Sequence, residues 1–112
     1  DILIIGEIRD SDTAHAVIRA SLTGAVVFST IHAKSISGVY ARLLELGISQ
    51  QELENSLHAV VYQRLIGGGG VIDVAKDRFK EHQPSNWNQK MDQLVAQGHL
   101  SKEQAAIEKI TL

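Results

Sequence analysis

The chain has no cysteine. That excludes disulfides and thiolate-ligated zinc, and it suits a reducing compartment. It has a single proline, Pro84, and few aromatic side chains: one Trp, two Tyr and two Phe. It also lacks an excess of charge. Eleven Lys and Arg against thirteen Asp and Glu leave a formal net charge of −2, with no basic cluster. A main partner that is nucleic acid is therefore disfavoured, because phosphate binding needs a basic face. No apolar run reaches the roughly 18 residues of a membrane-spanning helix. An initiator Met and a signal peptide are both absent, and the opening Asp1-Ile2-Leu3-Ile4-Ile5 reads as the inside of a protein. The chain is expected to be a fragment.

What is present describes part of an ordinary globular domain, with 44% hydrophobic and 21% charged residues in 112. Ile2-Leu3-Ile4-Ile5 is a continuous, mostly β-branched run, as expected of a strand buried on both faces. Asp10-Ser11-Asp12 supplies N-cap candidates for a helix striped by Ala14, Val17, Ile18 and Leu22, which Thr23-Gly24 ends. Ala25 to Thr30 is a second buried-looking strand. Strand, helix and strand within about thirty residues make a parallel βαβ unit. Ile36, Val39, Tyr40, Leu43 and Leu44 stripe the next helix, stopped by Gly47. Ser49 with Glu52 is a capping box, and apolar residues at 53, 57, 60, 61 and 65 predict one helix from there to Ile66. Gly67 to Gly70 then reads as a flexible connector, Val71 to Ala75 as a short strand, and Lys76 to Asn86 as a linker. Trp87, Met91, Leu94 and Val95 stripe a helix that Gly98 caps. Ser101 with Gln104 opens a last helix, with Leu100 placed as a hydrophobic staple. With no second large aromatic nearby, the stripe led by Trp87 reads as core rather than a partner groove.

Parallel α/β sheets bind ligands at the carboxyl ends of their strands. Glu7 follows the first strand and His32 the second, so adjacent strands would bring both to one rim. A carboxylate there can orient and deprotonate a water or help hold Mg²⁺, and an imidazole can hydrogen-bond a phosphate oxygen. By themselves, a Glu after a strand is more often a helix N-terminal charge, and a lone His is more often a satisfied structural residue. His15, His58, His82 and His99 share no metal-ligand spacing.

The strings around these residues carry more. Ile4-Ile5-Gly6-Glu7-Ile8-Arg9-Asp10 resembles the Walker B segment of the type II/type IV secretion ATPase family, the hexameric motors of pili, pseudopili and DNA uptake. Ala20-Ser21-Leu22-Thr23-Gly24, Ser29-Thr30-Ile31-His32-Ala33 and Gln63-Arg64-Leu65 resemble the segments that follow it, the histidine box among them, in the same order and spacing over about residues 1–66. The resemblance implies an α/β fold: the second half of a RecA-like P-loop ATPase core over residues 1–70. A short strand and linker at 71–86 and a helical hairpin at 87–112 would follow. It implies that Glu7 positions the attacking water and that His32 senses the γ-phosphate, with Arg9 and Arg64 as further nucleotide-binding candidates. ATP and Mg²⁺ are the implied cofactors. The implied partners are five further copies in a hexamer and a polytopic inner-membrane platform protein, at the cytoplasmic face of a bacterial membrane.

Departures from the family pattern also inform. Gly6 stands where generic P-loop enzymes carry Asp, and the family shares that glycine. Ala25 stands where many members have a histidine. The absence of cysteine removes the four-cysteine zinc insertion of secretion-type members and favours the competence or retraction branches. No Gly-x-x-x-x-Gly-Lys-Ser/Thr occurs, so the phosphate-binding loop is expected outside the chain and the fragment itself is expected to be inactive. Competing readings are a docking module without catalysis, using the helices at 87–111, and a DNA-translocating ATPase, for which the basic surface is missing.

Overall fold

The computed structural model describes residues 2–112. The chain divides into two compact units, Asp1–Ala33 with Gly38–His58, and Lys34–Ser37 with Ala59–Leu112. From residue 59 onward the chain belongs wholly to the second unit, so residues 59–70 group with the terminal helices.

In the first unit, β1 (Ile2–Ile5) and β2 (Val26–Ser29) pair in parallel, joined by α1 (Ser11–Leu22). The register runs from Ile2 opposite Val26 to Ile5 opposite Ser29. Asp10 caps α1 by accepting from the Thr13 amide (2.8 Å) and the Thr13 hydroxyl. Gly24, at φ +99°, ends it. Ala14, Val17 and Ile18 form the buried stripe of α1, whereas Leu22 is exposed. α1 packs on β2 and on α3 (Gln50–Ser56). α2 (Ile36–Glu45) buries Val39, Tyr40 and Leu43. The Ser49–Glu52 capping box forms as expected and opens α3.

One expectation fails for β1: the run forms a strand but is not buried on both faces. Ile4 is 83% and Phe28 60% exposed. Each strand has a single partner, and the side chains at Ile2, Ile4, Val26 and Phe28 alternate onto a face left open among the described residues.

The second unit corrects a larger expectation. The predicted helix stops at Ser56. Residues Val60–Ile66 form β3, which pairs antiparallel with β4 (Gly69–Ala75), Val60 opposite Ala75 and Ile66 opposite Gly69. The apolar spacing at 57, 60, 61 and 65 suits a helix, but Val60-Val61-Tyr62 prefers extended backbone and β4 supplies the hydrogen bonds. Gly67-Gly68 is therefore a two-residue hairpin turn and not a flexible connector. Both have positive φ, +61° and +83°, as a type I′ turn requires. A Cβ on Gly67 would also stand 3.1 Å from the His99 carbonyl oxygen.

β4 turns Val71, Asp73 and Ala75 inward and Ile72 and Val74 outward. The expected linker carries tertiary contacts of its own. Phe79 is buried, and His82 Nε2 lies 3.0 Å from Oδ2 of the buried Asp73. The helices α4 (Ser85–Ala96) and α5 (Lys102–Glu108) pack as the expected pair, turned by Gly98 at φ +80° and restarted by the Ser101–Gln104 capping box. Their core is shared with the hairpin. Trp87 and Met91 cluster with Ile66, Val71 and Ala105, and Tyr62 meets Trp87 edge-on at 5.0 Å between ring centroids. The Trp87 indole N–H donates to the Glu108 carbonyl (2.9 Å), and Asn88 exchanges two hydrogen bonds with the backbone of Ile110.

Two outcomes follow. Trp87→Ala removes a side chain that is 1% exposed, so it should cost about 3–5 kcal/mol in urea unfolding. Mild destabilisation, below about 1 kcal/mol, would show that the ring is not the anchor. The acid side follows from two caps. The Thr13 hydroxyl and amide hold the Asp10 carboxyl below its ordinary 3.8, and the Ser49 amide and hydroxyl hold Glu52 below 4.5. Both folded values are depressed, so their stabilisation is complete above the ordinary values and is lost as pH falls through the folded ones. The melting-temperature gap between the wild type and Asp10→Ala should therefore be full at pH 6 and narrow progressively below pH 3.8.

Candidate functional site

The parallel register decides where chemistry can gather. Because Ile5 stands opposite Ser29, the residues just past each strand leave the same end of the sheet side by side. The pairing continues beyond the strands. The Thr30 hydroxyl donates to the Gly6 carbonyl (2.7 Å), and the Ile8 amide donates to the Thr30 carbonyl (2.7 Å). Glu7 is bracketed by those two bonds, and His32 lies two residues beyond Thr30.

Their side chains meet. His32 Nε2 is 2.9 Å from Glu7 Oε1, and Arg9 Nε is 3.9 Å from Glu7 Oε2. The carboxylate is partly covered, whereas the imidazole, at 95% exposure, and the guanidinium of Arg9 stand open to solvent. The rim thus presents one acceptor and two donor groups to any ligand at the end of the sheet. The acceptor can orient a water and the donors can meet anionic oxygens. Among the described residues no three His, Cys, Asp or Glu side chains cluster to hold a metal ion. Glu7 alone could contribute to a divalent cation whose other ligands are phosphates and waters.

Three of the four sequence-derived candidates, Glu7, His32 and Arg9, therefore converge. Arg64 does not join them within one unit. It lies on β3 of the second unit, where its Nη2 is 3.3 Å from Glu108 Oε1. Two other histidines have partners of their own: His15 is bonded to the Ser11 carbonyl within α1, and His82 to Asp73. Thr30 escaped the sequence reading although it stands inside the histidine-box string. The available signal was a hydroxyl one residue past a strand, beside a neighbouring strand that glycine follows.

Comparison with known proteins places the chain in a family. A family model described as "Type II/IV secretion system protein" matches residues 1–107. Competence protein ComGA of Streptococcus pneumoniae (strain ATCC BAA-255 / R6) is 64% identical over 111 residues, covering 99% of this chain and 36% of that protein. Competence protein ComGA of Bacillus subtilis (strain 168) is 42% identical over 66 residues, 59% of this chain and 18% of the relative. The chain therefore spans 36% or less of the length of these relatives. The X-ray structure of the Legionella pneumophila ATPase DotB superposes with a TM-score of 0.70 over 95% of this chain and 37% of that one, at 18% identity, a likeness of fold. With the motif strings in order, the Glu7 and His32 side chains in contact and the family match running over residues 1–107, the chain belongs to the type II/IV secretion system protein family.

Proposed function

We propose that the chain is the carboxy-terminal part of a hexameric motor ATPase. The whole protein couples ATP hydrolysis to assembly of a competence pseudopilus, or a related type IV pilus or secretion fibre, for DNA uptake. The observation that carries this reading is the 2.9 Å contact between Glu7 and His32 at the carboxyl ends of paired parallel strands. The 64% identity to a protein named for competence and the absence of cysteine favour the competence branch.

In this reading Glu7 accepts a hydrogen bond from the attacking water and aims its lone pair along the line of displacement, as phosphoryl transfer requires. His32 and Arg9 donate hydrogen bonds to phosphate oxygens and offset charge that gathers there. The Glu7–His32 bond keeps both side chains at the rim before a ligand arrives. Mg²⁺-ATP, when bound, supplies the phosphoanhydride bond and the charge neutralisation of the metal. The donor set fits the phosphate end of such a ligand. Arg64 stays a nucleotide-binding candidate in its own unit, where it is held by Glu108 at 3.3 Å in a surface pair worth about 0–1 kcal/mol. The motor works as a ring of six copies against a polytopic platform protein at the inner face of the membrane, and does not bind nucleic acid directly. A pure docking role for the 87–111 helices has less support, because the Trp87 stripe faces its own core.

In the full-length protein, Glu7→Gln should leave ATP binding intact and cut steady-state turnover by at least about a hundredfold, since it keeps the size and loses the base. Near-normal hydrolysis would give Glu7 another task. The 112 residues alone should bind MgATP no tighter than about 1 mM, for they lack the glycine-rich loop and its lysine that grip the phosphates. Saturable amide shifts at Glu7, Arg9 and His32 below that concentration would show the rim to be a sufficient nucleotide site.

A further inference from the structure

Glu7 sits in a loop with little else to hold it. Gly6 precedes it, with the widest backbone freedom of any residue, and a Cβ built there would touch nothing within 4 Å. The loop contributes no fully buried side chain between Gly6 and Asp10. What fixes it is a pair of hydrogen bonds to one residue across the sheet. Thr30 donates its hydroxyl to the Gly6 carbonyl and receives the Ile8 amide on its own carbonyl, each at 2.7 Å. The two bonds grip the backbone on either side of Glu7, and the same residue sets where His32 leaves β2. The side-chain half of this clamp is not a ladder bond that any residue would make, since it needs a hydroxyl. A β-branched residue adds a narrow choice of χ1, which suits a hydroxyl that must point at one carbonyl.

We propose that Thr30 is a positioning residue for the hydrolytic step, acting through the backbone of residues 6–8 to keep the Glu7 carboxylate aimed at water. The proposal rests on Glu7 being the water-orienting group. Thr30 is itself exposed, so its hydroxyl is tied to the alignment of the rim more than to the stability of the unit.

The test uses the full-length protein with four variants: Thr30→Val, Thr30→Ser, Glu7→Gln, and Thr30→Val combined with Glu7→Gln. Thr30→Val keeps the shape and the branch but loses the donor. It should lower kcat by about ten- to a hundredfold, the scale of a misplacement near 1 Å, with KM for ATP within about twofold and the circular-dichroism melt nearly unchanged. Thr30→Ser should recover most of the rate. In the Glu7→Gln background Thr30→Val should cost nothing further, because it acts through the carboxylate already removed. Wild-type kcat in Thr30→Val beside an inactive Glu7→Gln would overturn the Thr30 role alone. So would failure of Thr30→Ser to recover the rate, a loss that multiplies fully with Glu7→Gln, or a Thr30→Val protein that does not fold. Normal turnover by Glu7→Gln would instead overturn the reading of Glu7, and the Thr30 role with it.

Discussion

The parallel pairing of β1 with β2 is the constraint on which the candidate site depends. Four ladder positions set the register, and that register places Glu7 beside His32. A slip of one residue would turn every side chain of the slipped strand to the opposite face and shift the two groups by a strand rise of about 3.3 Å. A short parallel pair is a modest source of such precision. It is reinforced at its carboxyl end by the two Thr30 bonds, which carry the pairing past the last strand residues to the functional ones. Behind it, α1 begins at the Asp10 cap immediately after the loop, so the loop runs between two fixed points, the end of β1 and the start of the helix.

The second unit depends on a different interaction, the burial of Trp87. A two-stranded hairpin and two short helices are each marginal in water. The indole joins them. It packs with Met91, Ile66, Val71 and Ala105, meets Tyr62 edge-on, and ties its N–H to the end of α5. Asn88 on the next residue holds the backbone at Ile110, so the segment after α5 is fastened to α4 by paired amide bonds. The Gly67-Gly68 turn brings the hairpin tip against His99 at the corner between the two helices, a closeness that a side chain on Gly67 would crowd.

Much of this was decided by the sequence itself. Helix starts at Asp10, Ser49 and Ser101 are local events, in which a side-chain oxygen meets a backbone amide three residues on, and residue type and spacing suffice to determine them. The βαβ unit was equally legible, since two β-branched runs around a capped amphipathic segment have one favoured way to pair. From that pairing came the convergence of Glu7 and His32, and the order of the strings around them identified the family. Tertiary structure decided what local pattern left degenerate. Residues 57–66 satisfy helical spacing and strand propensity together, and β4, reached through the glycine turn, settles them as β3 by offering a hydrogen-bonding partner. The apolar run at Ile2–Ile5 fixes a strand but not what covers it, because burial is a property of neighbours rather than of the run. The partners of His82 and Arg64 were likewise invisible, since Asp73 and Glu108 reach them only after the chain has folded back. The grip of Thr30 on Gly6, across 24 residues of sequence, exists only because two strands lie side by side.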